Sequence, residues 1–389
     1  MLEAAITGSR RYWIWVSFLL VVIAIGFVSW LREVHLGSGA MTGLSRDVTW
    51  GLHVGQLTFF VGVAASAVLV TMPYYLLNYK EFGKIAIMGE FLAVSAVLIS
   101  MLSVFAIMGQ PTRIWNVILH ATPNSIIFWD LVVLNVYLIL NILCGWTVLG
   151  AERKGVPPPV WIKPFIIFAI IWAPLIHTVT AFIFAGLPGR DHWLTSLQAA
   201  HFLATAFAAG PSLLIILSMI VRKVSRFDPG KVALQTLAKI ATCALVIHIF
   251  FIALEFFTAF YSRIPGHMRT LQYLYTGLDG HTELVPVMWT SSILAVTALV
   301  LLLTPATRRN EKTLLAAALA AFFSIWLDKG FCFVVSGFVP NPFERVTGYW
   351  PTLNEFCVAA GCWGVGFLVL TILYKIVISV RECGVETGH

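Results

Sequence analysis

Ionisable side chains inside long apolar stretches are the residues of this sequence that could carry chemistry. His53, Asp130, His177 and His201 all lie in such stretches. An ionisable group costs about 2.5 to 3.5 kcal/mol at the centre of a membrane helix, so its presence there marks a functional candidate. A histidine that titrates near neutral pH and a partly buried carboxylate suit quinone chemistry, because that chemistry couples electrons to protons and needs a titratable base. The residue types therefore favour a redox pocket.

The composition requires that membrane helices hold these groups. Of the 389 residues, 59% are apolar and 11% are charged, which predicts an integral membrane protein. The apolar runs are continuous and not alternating, so the predicted fold is all-α, a polytopic membrane protein with about ten transmembrane helices. We place the spans near residues 13–31, 50–78, 84–108, 125–149, 161–186, 193–221, 233–262, 284–304, 313–336 and 354–380.

The basic residues predict the orientation of these spans. The net charge is +7, and most lysines and arginines fall on one side of the predicted helices, as in RKVSRFDPGK (222–231). By the positive-inside rule both termini are cytoplasmic, and the chain is a multi-pass protein of the cytoplasmic (inner) membrane. The charge thus reports topology in contact with membrane lipid, and no nucleic-acid partner is predicted. In this orientation most of the ionisable groups lie in the outer halves of their spans.

A faint internal repeat predicts how the spans are grouped. His53 opens the second span and His201 the sixth, and YKEFGKIAIMGE (79–90) is similar to LQTLAKIATCAL (234–245). The order of these matches predicts two parallel four-helix bundles plus two flanking helices. The expected divisions are 1–49, the first span and outer loop; 50–190, the first bundle; 191–336, the second bundle; and 337–389, the last span and a cytoplasmic tail.

A series of polar residues at different depths suits proton transfer between the cytoplasm and an outer redox site. The predicted pathway consists of Glu90, Asn135, Asn141, Lys239 and Glu255. The alternative is structural: the two asparagines would form hydrogen bonds between helices, and Glu90 would be capped by Lys84.

Two other functions fit parts of the sequence. A b-type di-haem cytochrome would use His53, His177, His201 and His248 as axial ligands, although three of the four lie at one depth. A secondary transporter would fit the repeat and the helix-breaking pair Gly210-Pro211. The six cysteines form no Cys-x-x-Cys pair, so we expect no iron–sulfur cluster in this chain and, from the residues as a whole, no metal site. The cysteines are Cys144, Cys243, Cys332, Cys357, Cys362 and Cys383.

Several motifs resemble one membrane-protein family. These are DVTWGLHVGQLTFFVGVAASAVLV (47–70), GQPTRIWNV (109–117), TPNSIIFWDLVVLN (122–135) and FYSRIPGHMRTLQYLYTGLDGH (260–281). The resemblance, over residues 40 to 300, is to the NrfD/polysulfide-reductase membrane subunits. Within that family it is strongest to the DsrP branch, which belongs to the membrane complex of dissimilatory sulfite reduction.

The resemblance implies a haem-free and cluster-free subunit that exchanges electrons between menaquinone and an iron–sulfur protein on the outer face. It would belong to a quinol-linked oxidoreductase complex of sulfite or sulfate respiration and hold no complete redox chain of its own. The implied partners are a ferredoxin-like subunit, a multihaem cytochrome c, a b-type cytochrome and a cytoplasmic iron–sulfur subunit. The family's quinone pocket carries over to His53, Asp130 and His177, with Gln56 and Arg113 as weaker additions. We expect His53 and Asp130 to be the proton-handling pair.

Overall fold

The computed structural model describes residues 3–386, and helices make up 78% of the chain. The part that it describes contains no β-strand, apart from a single bridge between Leu278 and His281. Ten helices are long and apolar enough to cross a membrane, which confirms the predicted fold class and number of spans. They are α1 (Arg10–Leu36), α2 (Leu52–Tyr75), α3 (Lys80–Ile107), α4 (Ile126–Arg153), α5 (Ile162–Ala185), α6 (Gln198–Val224), α7 (Lys231–Tyr261), α8 (Val285–Leu303), α9 (Glu311–Ser336) and α10 (Leu353–Glu382).

The helices pack as two rings of four with a flanking pair. In the first ring α2 contacts α3, α3 contacts α4, α4 contacts α5, and α5 returns to α2. The second ring repeats this order with α6, α7, α8 and α9. The helix α6 joins the rings by contacting α2 and α5, while α1 and α10 pack on each other and α10 also contacts α3. The side on which α2, α4, α6, α8 and α10 begin is the predicted outer side.

The helix α2 lies at the centre of the molecule. Every residue from Leu52 to Ala65 is buried, which agrees with a sequence that is apolar all round. Glycines permit close approach to its neighbours: a Cβ atom on Gly55 would lie 1.8 Å from the carbonyl oxygen of Gly330 in α9. Membrane helices associate through such small residues, because lipid offers no hydrophobic drive for association.

The helix α9 is interrupted where it meets α2. Residues Asp328–Cys332 form a π-helical turn between two α-helical segments. The widened turn presents backbone carbonyls to α2, and side chains of α2 satisfy them: the Thr58 hydroxyl lies 3.3 Å from the Lys329 oxygen, and Gln56 Nε2 lies 3.4 Å from the Gly330 oxygen. Non-helical backbone at membrane depth is stable only where protein groups satisfy it in this way. The sequence patterns do not predict this turn.

The loop between α1 and α2 meets the loop between α9 and α10 over the start of α2. The Glu355 carboxylate, fully buried at the start of α10, accepts hydrogen bonds from the Gly43 amide (2.7 Å) and the Tyr349 hydroxyl (2.6 Å). The Leu52 amide in turn donates to the Tyr349 hydroxyl at 2.9 Å.

The sixth span begins later than predicted. The prediction starts it at residue 193, but α6 begins at Gln198. Trp193 precedes the helix because it packs against Trp50 and Phe338 of these two loops and donates to the Phe333 carbonyl.

Replacing Gly55 by alanine tests the close approach of α2 and α9. The added Cβ has to displace the Gly330 carbonyl, so Gly55→Ala is expected to destabilise the chain by about 1 to 3 kcal/mol. Thermal melting of the detergent-solubilised chain measures the loss. Gly150→Ala in α4 is the matched control, since a Cβ there meets no atom within 4 Å among the described residues. Equal melting temperatures for the two variants would contradict the packing.

Candidate functional site

Five ionisable side chains from four helices meet in the half of the molecule that is predicted to be the outer one. We call them the central polar cluster, and they are His177 of α5, His201 of α6, His248 of α7, and Asp328 and Lys329 of α9. His177, His248 and Lys329 are buried, and His201 and Asp328 are half-buried. Groups of this kind persist in a membrane interior only when they are paired or hydrogen-bonded, and they mark functional sites.

Lys329 occupies the contact between the two rings. Its Nζ lies 2.7 Å from His177 Nε2 and 3.1 Å from the Thr205 hydroxyl, and it sits over the Phe202 ring at 3.9 Å. His177 Nε2 is also 2.7 Å from the Phe202 carbonyl oxygen. His177 Nε2 can form only one of these two hydrogen bonds at a time. When it carries a proton it donates to the Phe202 carbonyl oxygen, and when it carries none it accepts a hydrogen bond from Lys329. The position of one proton therefore decides which contact is a hydrogen bond.

His201, His248 and Asp328 form a chain of contacts. His201 Nε2 lies 2.9 Å from His248 Nδ1, and His248 Nε2 lies 3.6 Å from Asp328 Oδ2. The first contact is a hydrogen bond, whereas the second is too long for one and places the carboxylate near the other ring nitrogen of His248. The arrangement resembles a charge relay in which His201 is the residue that meets the cavity described next.

A cavity of about 220 Å³ lies beside the central polar cluster, between α6, α7, α9 and the short helix Pro265–Tyr275. His201, Asp328 and Lys329 line it, and His192 and Glu255 add an ion pair with 3.1 Å between Nδ1 and Oε1. The other walls are mostly apolar, with Phe202, Phe251 and Phe333 among them. An apolar slot with a few convergent polar groups is the usual form of a small-molecule site.

The central polar cluster contains side chains of the types that ligate metal ions and haem iron. His201, His248 and Asp328 each present a ligand atom, all within 4.8 Å of one another, a possible metal-binding triad that sequence analysis does not predict. Nε2 of His201 and Nδ1 of His248 contact each other, so a metal ion bound by both atoms would have to break that contact. The same 2.9 Å contact leaves no room for a macrocycle between these two rings.

Asp130 and His177, two of the residues predicted to bind the quinone, are both connected to α5. The Thr180 hydroxyl is 2.6 Å from Asp130 Oδ1, and Thr180 follows His177 by three residues, so both project from the same face of α5. Asp130 is buried, and its hydrogen-bond partner comes from another helix. The structure thus links these two residues through α5.

The other three predicted quinone ligands lie elsewhere. His53 is buried, and neither of its ring nitrogens has a hydrogen-bond partner within the described chain. It shares a face of α2 with Phe60, whose ring packs against Trp363 of α10 at 4.9 Å, and so faces away from α5. Gln56 Oε1 accepts from the indoles of Trp326 (2.9 Å) and Trp363 (3.0 Å), which makes it a structural bridge. Arg113 is exposed in an outer loop.

The predicted proton-pathway residues are also dispersed. Glu90 is buried on α3, with Oε2 near Gly145 of α4 and its carboxylate beside Tyr75. Asn135 and Asn141 donate within α4, to the carbonyls of Leu131 and Tyr137 at 2.8 Å each, so their amide donors do not join helices as the structural alternative requires.

Lys239 and Glu255 both belong to α7 and thus to the other ring. Lys239 is exposed on the surface of α7, while Glu255 pairs with His192 at the cavity. Five cysteines are free thiols in the structure, and the side chain of Cys383 lies outside the described residues.

Sequence reasoning places Asp328, Lys329 and His248 within spans but gives Asp328 and Lys329 no role in a site, and His248 none beyond the haem alternative. The sequence feature that could have indicated the central polar cluster is the adjacent pair Asp328-Lys329 within an apolar stretch. Two neighbouring ionisable residues in a span need partners on different helices.

Comparisons with known proteins give one family. The family model described as polysulphide reductase, NrfD matches residues 40–339. The chain is 24% identical to a putative dimethyl sulfoxide reductase membrane subunit of Halobacterium salinarum, over 92% of this chain and 89% of that protein. It is 22% identical to a subunit of the selenate reductase of Mesobacillus selenatarsenatis, over 95% and 94%. It is 19% identical to the Hdr-like menaquinol oxidoreductase integral membrane subunit of Archaeoglobus fulgidus, over 97% and 96%.

Replacing Thr180 tests the polar path between α4 and α5. Thr180→Val removes the hydroxyl that contacts the buried Asp130 and is expected to lower the stability by about 1 to 3 kcal/mol, whereas Thr180→Ser retains it. Thr178→Val is the control, because that hydroxyl donates to the Pro174 carbonyl of its own helix. Thermal melting of the solubilised variants measures the difference, and a Thr180→Val variant as stable as Thr178→Val would refute the pairing.

Proposed function

Because the chain belongs to the NrfD family of polysulphide reductases, we propose that it is the quinone-interacting integral membrane subunit of a respiratory redox complex. Its similarity to a menaquinol oxidoreductase subunit supports menaquinone as the quinone. The observation that carries the proposal is the apolar cavity beside the central polar cluster, since a quinone headgroup needs an apolar slot, polar contacts for its oxygens and groups that exchange protons.

The cavity is the proposed site of the headgroup. Oxidation of a quinol releases two electrons and two protons, so the site needs proton acceptors as well as a route for electrons. His201 lines the cavity, and its Nε2 is hydrogen-bonded to His248, which leaves Nδ1 to accept one proton. Glu255 lines the same space and is the proposed acceptor of the second proton, while Lys329 supplies a polar contact. The aromatic walls Phe202, Phe251 and Phe333 supply apolar surface for the quinone ring.

The sequence-based prediction places the headgroup in the first ring, at His53, Asp130 and His177. His177 belongs to both placements, because it contacts Lys329 across the contact between the rings. We propose that Asp130 acts in proton handling behind the cavity, through Thr180 and the α5 face that carries His177. His53 has no such connection among the described residues, and its role in quinone binding stays a prediction.

Electrons would be exchanged between the quinone and an iron–sulfur subunit docked on the predicted outer side, near which the cavity lies. The names of the similar proteins describe membrane subunits of reductases and of a menaquinol oxidoreductase, which supports membership in a multi-subunit redox complex. The DsrP branch, sulfite or sulfate respiration, the cytochrome and cytoplasmic iron–sulfur partners, and the absence of haem and clusters from this chain stay predictions.

Replacing His201 tests the cavity as the reaction site. Glutamine keeps hydrogen-bonding groups but cannot take up a proton, so His201→Gln should lower menaquinol-linked electron transfer of the intact complex by about 100-fold or more. The exposed His35→Gln is the matched control and should retain full turnover. Asp130→Asn should also abolish turnover while the complex assembles normally.

Binding of menadione, the tail-less naphthoquinone, to the full-length chain separates the two placements. In the proposed arrangement His201→Gln weakens this binding and Asp130→Asn preserves it. The reverse result would place the headgroup in the first ring and overturn the cavity assignment.

Glu90 provides a separate test of proton movement. The side chain is buried at a level nearer the predicted inner side, and Glu90→Gln removes its capacity to carry a proton. We expect proton uptake from that side to slow by about tenfold or to lose its coupling to electron transfer. A pH-sensitive dye enclosed with the reconstituted complex measures uptake, with the exposed Glu81→Gln as the control. Uptake at the normal rate in both variants would leave Glu90 with a packing role only.

A further inference from the structure

A second concave feature runs along the membrane-facing surface between α6 and α7. This α6–α7 groove has a volume of about 530 Å³, larger than the cavity. Ala200 and Ala204 on α6 face Cys243 and Ala244 on α7, and these small side chains leave the space between the two helices. The neighbouring α7 side chains Val246 and Phe250 are exposed and apolar, as expected where a helix meets lipid.

The groove and the cavity share one wall. Phe251 lines both, and its ring packs against His201 at 5.5 Å between centroids. Ala200, at the end of the groove, directly precedes His201 in the chain. The groove therefore approaches the cavity at Phe251, next to His201, the residue proposed to contact the headgroup.

The groove has the dimensions and chemistry of a site for a long apolar chain. Its lining extends along α7 from Lys239 to Phe251, and twelve residues of helix span about 18 Å. Lys239 is the ionisable residue of that lining, and its long side chain can place the ammonium away from the apolar surface. Phe251, at the other end, also lines the polar cavity, so an occupant that extends past this ring into both spaces must have an apolar tail and a polar head.

We propose that the α6–α7 groove binds the isoprenoid tail of the quinone whose headgroup occupies the cavity. This inference rests on the proposed function and names the part of the substrate that gives affinity. Burial of apolar surface in the groove adds binding free energy without touching the reacting ring. Phe251 then stands at the junction where tail and headgroup meet.

Filling the groove tests the proposal with the full-length chain in detergent. In Cys243→Trp the indole occupies the space that the tail requires, so the affinity for menaquinone should fall by about tenfold or more. The affinity for menadione, which has the headgroup and no tail, should stay within about twofold. Val246→Trp is the matched control, since Val246 is exposed three residues further along α7 and is not part of the groove lining.

Each outcome assigns a cause. Unchanged menaquinone affinity in Cys243→Trp overturns the proposal, and a simultaneous loss of co-purified phospholipid would assign the groove to an acyl chain. If Cys243→Trp does not fold, Ala204→Leu narrows the groove from α6 and gives the same comparison. Failure of the proposed function has a different signature, because His201→Gln would then leave the affinities for both quinones unchanged.

Discussion

The contact between Lys329 and His177 is the interaction on which the arrangement of the two rings depends. A buried lysine amine in a membrane interior requires polar partners, and here they come from α5 and α6. The helix α2 carries Gly62 beside this contact: a Cβ atom there would lie 3.2 Å from the His177 ring and 3.4 Å from Lys329 Nζ, so a side chain would crowd the pair.

The π-helical turn of α9 determines which way its two charges point. Asp328 meets His248 of α7, while the next residue, Lys329, meets His177 of α5 and Thr205 of α6. In a regular helix the side chains of neighbouring residues also point in different directions. The widened turn additionally frees backbone carbonyl groups, which form hydrogen bonds with side chains of α2. Such turns are frequent at functional sites, because they change the side-chain directions at a fixed place in a helix. Asp328 and Lys329, the first two residues of this turn, line the cavity.

The sequence predicted the elements well and the contacts poorly, for a physical reason. Continuous apolar runs determine the number and class of the helices, because the membrane demands internally satisfied backbone. The fate of a polar side chain depends on distant residues. Gln56 is predicted to be a quinone ligand, yet its oxygen is held by Trp326 and Trp363, far away in sequence. The face that His53 presents could not be known without the position of α10, and the contact of α6 with α7 decides the partner of His201.

The internal repeat explains why the two rings differ in chemistry. His53 and His201 open corresponding helices, but the alignment of YKEFGKIAIMGE (79–90) with LQTLAKIATCAL (234–245) places Ala93 opposite His248 and Leu245 opposite Glu90. The first ring therefore lacks the second histidine of the relay, which leaves the ring nitrogens of His53 without a hydrogen-bond partner among the described residues. The second ring in turn lacks the buried carboxylate near the predicted inner side. In the proposed function, a proton that moves from Glu90 to the cavity would cross from one ring to the other, and the contact of Lys329 with His177 lies between the rings.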